Sequence, residues 1–380
     1  MNIGVICYPT YGGSGVVATE LGKALSEEGH HVHFITYSQP TRLDYINSNL
    51  YYHKVDIRTY PLFEYPPYEL ALASKMVNVV KTEKLDILHV HYAIPHASAA
   101  YMAKQILKAQ GITIPVVTTL HGTDITLVGK DESLEPVVSF SINQSDGVTA
   151  VSQSLKDDTF KFFDISTEIE VIPNFIDLKR FKKQKKDHFK AAICPKGEKL
   201  MIHISNFRKV KRVDDVINMF YEVNKQMPSK LLLVGEGPER RKMENLCHEL
   251  GIFEDVRFLG KLQVIEEILS VCDLFVMPSE KESFGLAALE AMACEVPVIT
   301  SNAGGIPELN INGVTGFMSN IGDVRDMVKN ALFILQDENL PKFKENALNR
   351  AKDFELQRIL PLYEKHYERV LMKSKSLELS

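Results

Sequence analysis

The chain has 380 residues, 45% of them hydrophobic and 24% charged, with a formal net charge of −5 at pH 7. That length predicts two domains of ordinary size, and the composition is that of a globular protein in water. The acidic balance argues against non-specific nucleic-acid binding, and no apolar run approaches membrane-spanning length, so a cytosolic location without membrane or nucleic-acid partners is expected. Cys7, Cys194, Cys247, Cys272 and Cys294 are scattered, without paired spacing, and read as reduced, packed thiols.

The first half alternates strands and helices. Ile3–Cys7 reads as an apolar strand, Gly12-Gly13-Ser14-Gly15 as a turn, and Val16–Glu28 as a helix ended by Gly29. Val32–Thr36 is the next strand. The glycine turn invites a dinucleotide reading through Gly13, Gly15 and Ala18. That fingerprint needs a carboxylate at the end of the second strand, and none occurs before Asp44, so NAD binding is set aside. The loop can still approach an anion closely, and the Ser14 hydroxyl is available to a ligand.

Ile87–His91 is a strand, His96–Ala109 a helix, and Val116–Leu120 a strand that runs into His121-Gly122-Thr123-Asp124. His89, His91, His96 and His121 gather around two strand ends. No carboxylate stands beside them at ligand spacing, and no Asp-x-Asp follows a strand, so no metal is expected. Gly122 lets His121 occupy a sharp strand end, where a neutral imidazole can hydrogen-bond a sugar hydroxyl. Leu134–Gln144 and Ser154–Phe163 read as helices, Gly147–Val151 and Ile169–Ile172 as strands. Short, continuous apolar strands between helices indicate a parallel sheet covered on both faces.

Residues 173–190 break the rhythm with a turn at Pro173-Asn174 and the basic run Lys179–Lys190, read as a solvated linker or helix. The pattern then restarts. Strands are expected at Leu200–Ser205, Lys230–Val234, Val256–Leu259, Leu274–Met277 and Val296–Thr300. Helices are expected at Val213–Gln226, Glu239–Leu250, Val264–Val271, Ser283–Cys294 and Val324–Gln336, with a helical tail over Asn339–Lys373. The reading is an α/β chain of two doubly wound parallel-sheet domains facing a cleft. The first spans residues 1–175 and the second 176–355, and a C-terminal helix of about 356–375 packs back on the first domain.

The second domain carries the stronger chemistry. Its first strand ends in Arg208-Lys209-Val210-Lys211-Arg212, where the Arg208 fork and the Lys211 point charge suit a diphosphate. Ser283 is positioned to cap a helix, with Phe284, Gly285 and Leu286 presenting backbone N–H groups to an anion. Glu290, seven residues past Ser283, then falls on nearly the same face, about 10 Å along the axis, roughly the span from a diphosphate to the ribose of the same nucleotide. Glu290 is the one charge in the apolar run Leu286–Cys294, where a carboxylate needs a partner; a ribose diol or an arginine would serve. Glu282, just before the helix, faces what hangs off the far phosphate. A polyol at each end and an anion in the middle describe a sugar nucleotide. Gly235-x-Gly237-Pro238 and Gly304-Gly305-x-Pro307-Glu308 read as turns before helices, the second a candidate to line the same pocket.

In this order and spacing these segments resemble the retaining GT-B glycosyltransferases with the Glu-x7-Glu motif, here Glu282 and Glu290. The resemblance spans nearly the whole chain. The segments around Cys7–Gly15, His89–His96, Thr118–Thr126 and His203–Arg212 are similar to the branch of that family that transfers N-acetylglucosamine to L-malate, the first step of bacillithiol biosynthesis. It implies a metal-independent, cofactor-free enzyme with UDP-GlcNAc as donor and L-malate as acceptor. By motif it implies diphosphate contacts from Arg208 and Lys211, the ribose on Glu290, and the donor sugar on Glu282 with His121 near its reacting face. Gly13 joins Ser283–Leu286 on the donor side, and Ser14, Tyr92 and Thr119 hold malate. Few cations stand in the first domain's loops to balance the malate charge; the helix start at Gly13–Gly15 is the candidate. The family's usual glycine after Ala-Met-Ala-Cys is Glu295 here, which puts that turn in question. Other acceptors, a sugar-nucleotide epimerase and a non-enzymatic binder are the alternative readings, and a homo-oligomer is possible.

Overall fold

Strands such as Ile87–His91 and Val116–Leu120 are buried at every position, the pattern of a parallel sheet with helices on both faces. The computed structural model describes residues 1–10, 12–43, 47–57, 64–127 and 131–378. It divides into two compact units: Met1–Asn174 with the C-terminal segment from Gln357, and Phe175–Leu356.

Unit 1 runs β1 (Asn2–Ile6), α1 (Gly13–Glu27), β2 (His31–Thr36), β3 (Leu50–Lys54), α2 (Tyr68–Glu83), β4 (Ile87–His91), α3 (Ser98–Lys108), β5 (Val116–Leu120), α4 (Glu135–Asn143), β6 (Gly147–Ala150), α5 (Gln153–Phe162) and β7 (Ile169–Val171). Its sheet order is β3-β2-β1-β4-β5-β6-β7, all parallel. The sequence reading passed from Thr36 to Ile87 and so missed β3 and α2. Helix α2 buries Leu72, Met76, Val79 and Val80 on one stripe and packs against α3.

Unit 2 runs α6 (Asp187–Ile193), β8 (Lys199–Ile204), α7 (Val213–Asn224), β9 (Ser229–Val234), α8 (Arg240–Glu249), β10 (Val256–Gly260), α9 (Glu266–Leu269), β11 (Leu274–Met277), α10 (Leu286–Ala293), β12 (Val298–Ser301), β13 (Gly316–Ser319), α11 (Val324–Leu335) and α12 (Leu340–Ala351). Its order is β10-β9-β8-β11-β12-β13. Strand β13, four residues long at the sheet edge, was also missed. The basic run holds α6, and the expected helical tail breaks at Lys352–Phe354.

The last helix, α13 (Leu356–Glu378), lies on unit 1. Tyr363 and Tyr367 are fully buried there, and Tyr367 Oη stands 2.7 Å from His89 Nδ1. Glu170 accepts from Arg369 and pairs with His366 at 2.6 Å.

In each sheet the strand order reverses once, between β1 and β4 and between β8 and β11. Loops leaving the carboxyl ends of those strands diverge there and leave a crevice, the usual ligand position in an open α/β sheet.

Candidate functional site

In unit 2 the loops after β8, β11 and β12 are tied together. The Glu280 N–H donates to Val210 O at 2.8 Å, and the Gly305 N–H donates to Glu282 O at 3.0 Å. Gly304 has φ +56°, and a Cβ on it would stand 2.1 Å from Glu282 O, so the approach that fixes the Glu282 loop requires glycine. Across the switch point, Lys211 Nζ donates to Glu282 Oε2 at 2.6 Å, and Arg212 Nη1 to Glu280 Oε1 at 2.9 Å. Lys211 and Glu282, both expected at the site, are therefore in direct contact. Arg208 is exposed and shares a cavity with Lys209, Arg212, Lys242, Glu239 and Glu280.

Two expectations about the helix start need correction. Helix α10 begins at Leu286, and its N-cap is Gly285 with φ +95°; no side chain caps it, so Ser283 does not. Gly285 turns the chain in a left-handed conformation that a capping serine would not supply. Ser283 and Phe284 lie in the preceding loop, and the buried Phe284 ring meets Phe354 edge-on with centroids 5.4 Å apart. The helical N–H groups without an intrahelical acceptor are those at the Leu286 end. Glu290 is consequently only four residues into the helix, about 6 Å along the axis, which shortens the span argued from Ser283. Glu290 is 5% exposed.

His203 received no role from the sequence, and nothing in its neighbourhood signals one. Its Nδ1 is 2.8 Å from Val276 O and its Nε2 2.7 Å from Ser205 Oγ. A carbonyl only accepts, so Nδ1 carries the proton and Nε2 accepts from Ser205. Burial lowers its pKa to about 4, so the ring is a neutral tie between β8 and β11.

In unit 1 the switch point carries Ser14, Tyr92 and His121. Gly15 lets α1 start against the β1 loop, since a Cβ there would stand 2.4 Å from Tyr8 O. Tyr92 leaves β4 with φ +89° and donates its hydroxyl to Ser14 Oγ at 2.8 Å; its ring centroid is 5.4 Å from that of His121. Gly13, the first residue of α1, is exposed. Asp124 organises the loops: Oδ2 accepts from the Ala93 N–H at 3.0 Å, and Oδ1 from Gly122 at 2.9 Å and His121 at 3.3 Å. Burial pushes its carboxyl up to about 6 against those three amides. The motif contained Asp124 but gave it no role; an Asp receiving N–H groups from the residues just before it was the available signal.

Thr119 is the residue the structure withdraws. Its side chain is fully buried on β5, and Oγ1 lies 2.7 Å from both His89 Nε2 and Thr149 Oγ1. A hydroxyl already engaged inside the sheet has nothing to offer malate. Of the four clustered histidines, His89, His91 and His96 are buried and His121 is half-buried. Burial lowers His89 and His121 to about 3 and His96 to about 4, and holds His91 well below the ordinary range, so all four are neutral at pH 7. Among the described residues, no group of three or more His, Cys, Asp or Glu is placed to hold a metal ion, and no helix is long and apolar enough to cross a membrane.

Comparison with known proteins agrees with this fold. Residues 184–352 match the family Glycosyl transferases group 1, and residues 11–180 match Glycosyltransferase Family 4. The chain is 47% identical over 382 residues to the N-acetyl-alpha-D-glucosaminyl L-malate synthase of Bacillus anthracis, covering 99% of each. It is 27% identical to an uncharacterized glycosyltransferase of Methanocaldococcus jannaschii, over 90% of this chain and 89% of that one. Among solved structures, sucrose-phosphate synthase of Thermosynechococcus elongatus superposes with a TM-score of 0.81 at 22% identity, covering 98% of this chain and 100% of that one. Anabaena HepE in complex with UDP and glucose gives 0.81 at 20%, covering 96% and 98%. Both share the fold, so the two parallel-sheet units are those of a GT-B protein. The chain belongs to the glycosyltransferase family that includes the N-acetyl-alpha-D-glucosaminyl L-malate synthase of Bacillus anthracis.

Proposed function

We propose that this chain transfers N-acetylglucosamine from UDP-GlcNAc to the hydroxyl of L-malate with retention of the α configuration, without a metal, as the first step of bacillithiol biosynthesis. The observation that carries the reading is the 47% identity to the Bacillus anthracis synthase along 99% of both chains.

The chemistry of each unit supports it. In unit 2, Arg208 and Lys211 take the diphosphate, helped by the amides at the Leu286 end of α10, and Glu290 takes the ribose. Lys211 is held by Glu282 at 2.6 Å. A diphosphate competes for that ammonium, and the carboxylate it releases is free to accept hydrogen bonds from the donor sugar. In unit 1, His121 contacts the sugar near its reacting face, Ser14 and Tyr92 hold malate, and the helix start at Gly13–Gly15 balances part of its charge.

Double displacement needs a carboxylate nucleophile under the anomeric carbon. Glu282, tied to a cation beside a phosphate site, is better suited to hydroxyls. Front-face departure of UDP is the route proposed: the glycosidic C–O bond to phosphate breaks, the malate oxygen bonds to the anomeric carbon, and its proton passes to the departing phosphate oxygen. Arg208, Lys211 and the α10 amides stabilise the charge that develops there.

The test is incubation with UDP-GlcNAc and L-malate in the presence of a chelator, followed by product mass. An N-acetylglucosaminyl-malate product supports the proposal. Product only with inositol phosphate or lipid sugars points to another acceptor, and turnover of donor alone points to an epimerase. UDP binding without any product removes the enzyme reading.

A further inference from the structure

His91 lies behind His121, outside every role assigned above. The His91 Nδ1 to His121 Nε2 distance is 2.8 Å, and the ring centroids are 5.0 Å apart at 26°. Both rings are neutral at pH 7, so one proton occupies the line between them. Two arrangements satisfy that contact. Either His91 Nδ1–H donates and His121 keeps its proton on Nδ1, or His121 Nε2–H donates and His91 keeps its proton on Nε2.

The far side of His91 decides between them. His91 Nε2 is fully buried and has no hydrogen-bond partner among the described residues. The second arrangement would bury an N–H without an acceptor, a rarer event than an unused lone pair. Nothing else competes for Nδ1, since His96 bonds the His91 backbone carbonyl and His89 is engaged by Tyr367 and Thr119.

We propose that His91 is a positioning residue that holds His121 in the Nδ1–H tautomer, so that His121 meets its ligand as a neutral hydrogen-bond donor and never as the base that takes the acceptor's proton. The partner it fits is an oxygen lone pair: a sugar hydroxyl, a carbonyl or a carboxylate. This specifies the His121 contact of the proposed transfer and rests on that reading for its catalytic consequence. The tautomer itself is independent of it.

The experiment uses the full chain labelled with 15N-histidine, with ring-nitrogen shifts and couplings read by NMR and His121 assigned through His121→Asn. Wild type is expected to show His121 protonated on Nδ1. His91→Phe keeps the ring volume and removes the donor; His121 is expected to shift toward the Nε2–H form and kcat/KM to fall roughly tenfold or more. His91→Asn places an amide N–H near the lost Nδ1–H and is expected to restore both tautomer and rate to within a few-fold of wild type. Thermal melts separate these effects from loss of fold. A wild-type His121 protonated on Nε2, or a His91→Phe chain that keeps the Nδ1–H signature, overturns the proposal whatever substrate the enzyme takes. A correct tautomer with no malate product overturns the function and leaves the tautomer standing.

Discussion

Lys211 and Glu282 meet at 2.6 Å although 71 residues separate them in sequence. Their types and their places after strand ends were legible; their contact was not, because it depends on how far the loops after β8 and β11 reach. Lys211→Ala is expected to lower kcat by about 100-fold or more, because a cation beside a developing diphosphate charge acts on the transition state. Both partners keep some exposure, so the fold should survive, and a thermal melt close to wild type is the control; near-normal turnover removes Lys211 from the mechanism. Asp124 gives a second case. Asp124→Asn keeps the shape but turns an NH2 group toward one of three backbone N–H donors. Losing that bond and leaving the donor unpaired should destabilise unit 1 by about 1–3 kcal/mol in urea melts, and displace His121 enough to lower transfer. An unchanged midpoint would mean that those amides find other partners. Thr119 shows the opposite failure: its motif position read as a ligand contact, and burial in the sheet excludes it.

At the scale of elements, long strands and helices followed from periodicity, and their ends did not. Helix α10 starts two residues later than the Ser283 cap implied, because Gly285 adopts a left-handed turn that a sequence full of helix formers conceals. Its C-terminal end answers the question raised by Glu295. Glu295 has φ +61°, its N–H donates to Met292 O at 3.0 Å, and the Val296 N–H donates to Ala291 O at 3.0 Å. That is the Schellman pattern, with glutamate where glycine is favoured, so the turn survives at a strain of roughly 1–2 kcal/mol. Glu295→Gly should recover part of it, raising unfolding stability by about 0.5–1 kcal/mol after the entropy of the added glycine is subtracted. A loss of stability would show that the Glu295 side chain makes contacts worth more than the strain. Helix α2 was missed although Leu72, Met76, Val79 and Val80 form a helical stripe; β3 is short and partly exposed at a sheet edge, with little pattern to find.

At the scale of the whole molecule, acid should act unevenly. His89 and His121 at about 3 and His96 at about 4, with His91 also lowered, sit in unit 1, whereas His203 at about 4 is the lowered histidine of unit 2 among the described residues. Between those values and the ordinary 6.5 the unfolded chain binds more protons, so stability is complete above about pH 6.5 and falls as pH drops toward 4. Asp124, raised to about 6, has the opposite sign, favouring the folded state below pH 6, but it is one group against these four and against His33, His53 and His366, which burial also lowers in unit 1. Amide-exchange protection factors measured at pH 7.5 and pH 5 should therefore fall further in β4 and β5 than in β8 and β11. Equal losses in both units would contradict the assignment of these rings as buried and neutral.

The alternation of apolar strands with amphipathic helices determined a parallel α/β chain in two units, and glycine, cation and carboxylate positions after strand ends marked the loops of the candidate site. Both are local properties, set by side-chain period and turn stereochemistry over a few residues. Which groups touch was decided only by tertiary structure: Lys211 with Glu282, Asp124 with three amides, His91 with His121, and Thr119 sealed in its sheet. Those contacts join residues brought together by strand order, and hydrogen bonds reward or exclude a side chain by tenths of an ångström that no local pattern encodes.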